Sequence, residues 1–371
     1  MGQAGLNMSR RIRRTPFTDR VEAHGVRGFS VVNHMLLPKA FEADVEDDYL
    51  HLRQHVQIWD VSVQRQVQII GPDAARLVQI MTPRDLRGAE TGQCLYVPLI
   101  DQNASMLNDP VLLKLAEDRF WLSIADSDIL LWARGLAIGM GLDVVVDEPD
   151  VSPLAIQGPK AQALMTQLFG DGIAALGHFR FGIFDVLGTR QLIARSGYSK
   201  QGGYEIYLQD SALGSALWDL IWDAGTAYNI RPGCPNLIER IEGGLMSYGN
   251  EFTRANNPLE CGFKRYCHLE DGIDYIGREA LLKIAEDGPE RHIMGVTFGG
   301  EALSGVAIPL AVMAEDGTVI GEVTSGIWSP RLGCNVGMSM IASSHWDAGT
   351  RITIRDSDGK LRDGTVSSLP F

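Results

Sequence analysis

Val67-Gln68-Ile69-Ile70-Gly71-Pro72-Asp73-Ala74-Ala75-Arg76-Leu77-Val78-Gln79-Ile80-Met81 is the stretch on which the fold turns. Its first four residues alternate as a strand does, Gly71-Pro72-Asp73 makes a turn and a helix start, and Ala74 to Met81 carries apolar side chains at helical spacing. The same order returns at Leu154-Ala155-Ile156-Gln157-Gly158-Pro159, ahead of a predicted helix over Lys160–Leu168. Two strand–Gly-Pro–helix units in one chain point to two related α+β subdomains. Outward from them, residues 49–58 have helical spacing, and Trp59-Asp60-Val61 ends that helix and opens a strand. Cys94–Ile100, Val111–Leu115 and Arg119–Ile124 read as short strands, Asp128–Met140 as a helix and Asp143–Asp147 as a strand. From about His292 the texture changes to short apolar runs (Ile293–Phe298, Val319–Thr324, Gly333–Ile341, Arg351–Arg355) separated by Gly, Asp and Ser, the pattern of a small all-β domain.

The chain has 371 residues and a net charge of −13, with 45% hydrophobic and 21% charged residues. At roughly 100–200 residues per domain this predicts two or three domains with ample core. An acidic balance argues against a nucleic-acid binder, which needs an excess of Lys and Arg to neutralise phosphates. The five cysteines, Cys94, Cys234, Cys261, Cys267 and Cys334, are odd in number and scattered. They fit neither a disulfide framework nor zinc spacing, and read as packing thiols. No run approaches the roughly 18 apolar residues of a membrane span. The start of the chain, through Arg10, Arg11, Arg13 and Arg14, is polar and unlike a secretory signal, with Met8 an alternative start. The expected location is the cytoplasm.

Several motifs are weak. Gly135, Gly139 and Gly141 sit in a predicted helix, whereas a dinucleotide-binding loop follows a strand. His51 and His55 are four apart without a third ligand, and Ser196-Gly197-Tyr198-Ser199 lacks the glycine pattern of a nucleophile elbow. No metal site is expected. Four other segments concentrate polar, aromatic and glycine residues as a bland core would not. They are Leu99 to Pro110, which brings Asp109 up to an apolar strand, Arg195 to Tyr207, Asn236 to Gly244, and Thr324 to Gly333. A carboxylate entering such a strand must meet a partner, a pocket or solvent.

Together these four segments resemble the aminomethyltransferase (glycine-cleavage T-protein) family. The first corresponds to a hairpin ending in paired acids, the second to GYTGExGYE, the third to LRLEAG and the fourth to SGTFSPTLG. Ile276-Gly277-Arg278-Glu279-Ala280-Leu281 and Trp59-Asp60-Val61-Ser62 are similar to its GREAL and FDVS segments, so the resemblance runs in order along nearly the whole chain. It implies an α+β, three-domain cloverleaf, with two α+β domains and a C-terminal antiparallel β-barrel-like domain around a central folate channel. The expected boundaries are 1–60 plus 148–285, 61–147, and 286–371. Further segments, among them Arg14–Thr18, Asn33–Pro38, Ser199–Glu205 and Gly233–Arg240, resemble one branch, which moves a methyl group from a small carboxylated sulfonium to tetrahydrofolate.

The resemblance implies the roles as well. Asp109 takes the place of the second paired acid, facing the reacting pterin nitrogen, while Asn108 replaces the first; a hairpin cap is the structural alternative for Asp109. Glu205 matches the glutamate that holds the pterin ring, and a carboxylate suits the parallel N–H donors of the amino-pyrimidinone edge. Arg240 matches the LRLEAG arginine, with a folate or substrate carboxylate and a structural ion pair both open. A sulfonium prefers aromatic faces, for which Tyr198, Tyr204, Tyr207 and Trp121 are available. Glu205 and Tyr207 share one strand face and Tyr204 points to the other, so Tyr207 and Tyr198 are preferred. Lys200 or Ser123 are candidates for the substrate carboxylate. Ala125 and Phe263 depart from the family's aminomethyl-donor site, and Met246–Glu251 lacks the KGCYxGQE cysteine of a non-enzyme relative. The expected partners are a sulfonium substrate and folate, without nucleic acid or membrane, for a monomer or homodimer. A one-carbon transferase acting on an amine donor and a non-catalytic folate-binding protein are the competing readings.

Overall fold

Val56-Gln57-Ile58-Trp59-Asp60 is buried at every position and forms a central strand. This corrects the helix expected over 49–58. The helix there is Val45–Leu52, started by Asp44, whose side chain accepts from the Asp47 amide at 2.8 Å, and by Glu46, Asp47 and Asp48 in its first turn. Apolar spacing alone did not separate the helix end from a strand buried on both faces. The computed structural model describes residues 9–371; residues 1–8, including Met8, lie outside the described residues.

The chain divides into two compact units, each discontinuous in sequence. The first comprises the residues up to Gln66, Glu148–Gly197 and Gln201–Cys234. It is built on a six-stranded sheet in the order Phe181–Val186, Thr189–Ala194, Gly203–Gln209, Val151–Gln157, Val56–Asp60, Ile230–Gly233. Only the last pair is parallel. The helices Ala161–Phe169 and Gly214–Gly225 pack Leu164, Met165, Leu217, Trp218 and Ile221 against Ile58, Leu154, Ile156, Tyr204 and Ile206. Each fully buried aliphatic side chain of this kind contributes about 1.5–3 kcal/mol.

The second unit holds Val67–Asp147, Tyr198–Lys200 and Pro235–Phe371. Its five-stranded sheet runs Val145–Asp147, Gln66–Ile70, Arg119–Ser123, Val111–Ala116, Cys94–Tyr96 and is covered by the helices Ala74–Met81 and Ile129–Gly139. Its C-terminal part is a closed barrel of Arg291–Phe298, Cys334–Ala342, Val319–Ser329, Leu310–Met313, Arg351–Arg355 and Leu361–Ser367. The last of these strands was not legible because it buries only Val366 and offers no apolar run.

The Gly-Pro repeat has a structural counterpart in each unit. Gly71 follows the strand Gln66–Ile70 with φ +139°, and Gly158 follows Val151–Gln157 with φ +120°. A Cβ would lie 2.5 Å from the Asp143 carbonyl oxygen at Gly71 and 2.4 Å from that of His55 at Gly158. Both amides donate to a neighbouring carbonyl, Gly71 to Asp118 and Gly158 to Gly202. The α+β architecture with a C-terminal β barrel is therefore present as expected. No helix among the described residues is long and apolar enough to cross a membrane.

Candidate active site

Asn108 closes the short strand Met106–Asn108, and Pro110 leads into Val111–Ala116, so Asp109 sits at the crossing of the two. Asn108 is wholly buried. Its Nδ2 donates to the Ala125 carbonyl (3.1 Å) and Ser127 Oγ (2.8 Å), while its Oδ1 accepts from the amides of Ala125 (2.9 Å) and Asp109 (3.0 Å). An ionised acid could accept but not donate here, so the amide in place of the family's first acid locks the loop at 125–127 beneath Asp109.

Asp109 has an asymmetric carboxylate. Oδ2 accepts from the Tyr96 hydroxyl at 2.7 Å, whereas Oδ1 is buried and has no hydrogen-bond partner among the described residues. Burial pushes its carboxyl up to about 7, hydrogen bonds from Tyr96 and from its own backbone amide oppose this, and the negative charge of Glu251 adds to it. Such an unpaired buried oxygen is costly unless a ligand donates to it. The Asp109 amide donates to Asn108 Oδ1 and also interacts with the Asp109 carboxylate itself.

Tyr96 belongs to Cys94–Tyr96, where its partner in register is Val111. Its ring contacts Phe263 and Tyr266, each at 5.3 Å between centroids. Desolvation and the facing Asp109 hold its hydroxyl well above the usual tyrosine range, so it is a fixed donor. Nothing in the sequence marked Tyr96; the signal was the pairing of Tyr96 with Val111, which only a strand register reveals.

Arg240 lies in the short helix Leu237–Glu242, capped by Asn236. Its Nη1 donates to Glu251 Oε2 at 2.8 Å and its Nη2 to Ser325 Oγ at 2.7 Å. Glu251 also accepts from Ser325 Oγ and from the Ser247 amide (2.7 Å). With side-chain exposures of 9% and 0%, this is a buried, fully bonded ion pair. Of the two readings open for Arg240, the ion pair is present in the structure, and a ligand contact beside it belongs to the proposal below. The Tyr198 hydroxyl donates to the carbonyl oxygens of Met246 (2.6 Å) and Leu245 (2.9 Å), the segment that Arg240 and Glu251 brace. Asp109, Tyr198 and Arg240 are thus electrically coupled parts of one cluster in this unit.

The other candidates fall elsewhere. Glu205 and Tyr207 share one face of Gly203–Gln209, and Tyr204 points to the core side, as the strand period requires. Glu205 is buried and accepts from Ser196 Oγ and from the Tyr207 hydroxyl, which oppose the upward push of burial on its carboxyl. Gln157 Nε2 donates to the Ser196 carbonyl at 3.2 Å and fills the space against Gly197 and Gly203. Trp121 and Ser123 lie on Arg119–Ser123, opposite Leu113 and Val111. The Trp121 ring is enclosed, with Nε1 donating to Gln68 Oε1 at 3.1 Å and the Arg119 guanidinium 5.8 Å from its centroid. Trp121 is buried in its own sheet to the same degree as Tyr207 is in the other, at 0% and 1% exposed. Lys200 is exposed; its amide donates to Glu239 Oε1 at 2.8 Å and its stem covers Gly243. His51 and His55 are bonded to the Asn229 carbonyl and to Lys160, respectively.

Two family models account for almost all of this chain: the GCVT N-terminal domain over residues 17–271 and the glycine cleavage T-protein C-terminal barrel domain over residues 291–371. The chain belongs to the glycine cleavage T-protein (aminomethyltransferase) family. It is 48% identical to the dimethylsulfoniopropionate demethylase of Ruegeria pomeroyi over 98% of both chains. It is 30% identical to the aminomethyltransferase of Bacillus subtilis, covering 97% of this chain and 99% of that one. The crystal structure of the glycine cleavage system aminomethyltransferase T from Bartonella henselae superposes with a TM-score of 0.86 over 97% of this chain and 98% of that one, at 24% identity, which establishes the shared fold.

Proposed function

We propose that this protein demethylates dimethylsulfoniopropionate by passing one S-methyl group to N5 of tetrahydrofolate, giving methylmercaptopropionate and 5-methyltetrahydrofolate. The observation that carries the reading is Asp109, with one carboxylate oxygen held by Tyr96 and the other buried and without a hydrogen-bond partner among the described residues. The reaction is an in-line displacement. The N5 lone pair forms the new C–N bond, the C–S pair returns to sulfur, and the sulfide leaves neutral, so no acid is required for it. The positive charge gained at N5 is relieved when its proton departs. A carboxylate whose pKa stands near 7 is suited to accept that proton and to attract the charge as it develops. Most of the acceleration comes from holding two substrates in line.

Glu205, kept on its strand by Ser196 and Tyr207, is assigned to the amino-pyrimidinone edge of the pterin. Tyr198 and Tyr207 are assigned to the sulfonium, and Ser123 or Lys200 to its carboxylate. Arg240 and Glu251 hold the segment that receives Tyr198, and Arg240 is also assigned to a folate or substrate carboxylate. We also read the chain as three domains, 1–60 plus 148–285, 61–147 and 286–371; the separate cores of the six-stranded sheet, the five-stranded sheet and the barrel support this division.

The test is incubation with tetrahydrofolate and dimethylsulfoniopropionate, followed by identification of both products by mass. Methylmercaptopropionate and methylfolate in equal amounts are expected, and Asp109→Ala should lose turnover. A methylene-level folate formed from an amine donor would favour the aminomethyltransferase alternative, and folate binding without turnover of any donor would make this a binding protein.

A further inference from the structure

The short helix Leu237–Glu242 and the turn after it are gripped by several separate pieces of their own unit. Glu239 Oε1 accepts from the Lys200 amide, Arg240 pairs with Glu251, and the carbonyl oxygens of Leu245 and Met246 receive the Tyr198 hydroxyl. Glu242 makes a further attachment. It is 4% exposed, with Oε1 accepting from Ser329 Oγ at 2.5 Å and Oε2 from Arg331 Nε at 2.8 Å. A carboxylate this deeply buried is stabilised by such a charge-assisted pair.

Leu369-Pro370-Phe371 closes over the attachment. The Phe371 amide donates to the Glu242 carbonyl oxygen at 3.0 Å, and Arg331 Nη2 donates to the main-chain oxygen of Phe371 at 3.2 Å. Arg331 thus reaches Glu242 twice, at its carboxylate directly and at its backbone through Phe371. Gly244 has φ +62°, and a Cβ there would lie 3.3 Å from Leu369 Cβ, so this segment packs on bare backbone. The Phe371 ring covers Gly295 of the barrel strand Arg291–Phe298, where a Cβ would come within 2.9 Å of Cζ. Arg331 itself follows the barrel strand Val319–Ser329. It stands where the family segment SGTFSPTLG has threonine, which carries neither the charge nor the second donor.

Resting on the assignment of Tyr198 to the sulfonium, we propose that Arg331 and Phe371 are positioning residues, latching Glu242 to the barrel and so holding the stretch that fixes the Tyr198 ring. The Tyr198 hydroxyl sits on the two carbonyl oxygens that follow Gly244, so its ring follows any displacement there. Asp109, between Met106–Asn108 and Val111–Ala116, is anchored separately by Tyr96.

The test measures kcat, both KM values, the pH profile and thermal stability for wild type, Arg331→Thr, Phe371→Ala, Tyr198→Phe, and Arg331→Thr combined with Tyr198→Phe. Arg331→Thr and Phe371→Ala should each raise KM for dimethylsulfoniopropionate roughly tenfold, about the worth of one desolvated aromatic face to an onium group. KM for tetrahydrofolate and the acid limb of the pH profile should stay as in the wild type. The double variant should be no worse than Tyr198→Phe alone, because both changes free the same ring. Additive effects, equal rises in both KM values, or unchanged kinetics with or without a loss of thermal stability would overturn the latch. Absence of folate-dependent turnover in the wild type would instead overturn the functional reading, so the two failures are distinguishable.

Discussion

Asp109 concentrates the chemistry in a single titration. Its carboxylate accepts a proton only when ionised, so kcat/KM should rise roughly tenfold per pH unit below about 7 and level off above it. A flat profile through that region would remove Asp109 as the proton acceptor. The Tyr96 hydroxyl stabilises the charged form, so Tyr96→Phe should move the acid limb upward by roughly one pH unit, given about 1.5 kcal/mol for a hydrogen bond to a charged group. A downward or absent shift would contradict this role. The same raised pKa costs stability. The folded state holds the Asp109 proton more tightly than the unfolded one, so this group's contribution falls as pH rises from about 4 to about 7. Asp109→Asn should therefore melt above wild type at alkaline pH, with the gap narrowing under acid. Asp109 and Glu205 stood out in the sequence because each stands inside a matched motif. Tyr96 did not, because its contact with Asp109 depends on a strand register that no local pattern expresses.

Turns and braces decide matters at the scale of elements. The Gly-Pro repeat was legible as two α+β units, and its glycines prove to be sites where backbone carbonyls close in on both turns. Gly158→Ala should destabilise the protein by about 2 kcal/mol or more in urea unfolding, since it combines positive φ with an overlap. A change within about 0.5 kcal/mol, the usual range for an unconstrained surface site, would contradict the argument. Glu251 was missed altogether. It is distant in sequence from Ser325, and buried charges are recognised by their partners, not by spacing. Glu251→Ala should cost about 3–5 kcal/mol because it strands the Arg240 guanidinium in the interior. A small effect in chemical denaturation would show that the guanidinium finds water instead. The helix misread over residues 49–58 has the opposite lesson: Val56–Asp60 is buried on both faces, so its apolar pattern carries no period.

The whole molecule is acidic, with a net charge of −13, yet the function assigned to it requires binding an anionic folate. Binding of that anion must then rest on local cations, and ionic strength should therefore weaken folate binding more than it weakens the turnover of saturated enzyme. Length and texture made the α+β and barrel architecture legible, while the choice of sulfur over nitrogen as methyl donor rested on resemblance. The most direct measurement is the fate of a deuterated methyl group. With dimethylsulfoniopropionate carrying fully deuterated S-methyls and unlabelled tetrahydrofolate, the account predicts 5-methyltetrahydrofolate bearing the intact deuterated methyl, in equal amount to methylmercaptopropionate. Loss of deuterium from the transferred carbon, or a folate product without label, would contradict direct methyl transfer.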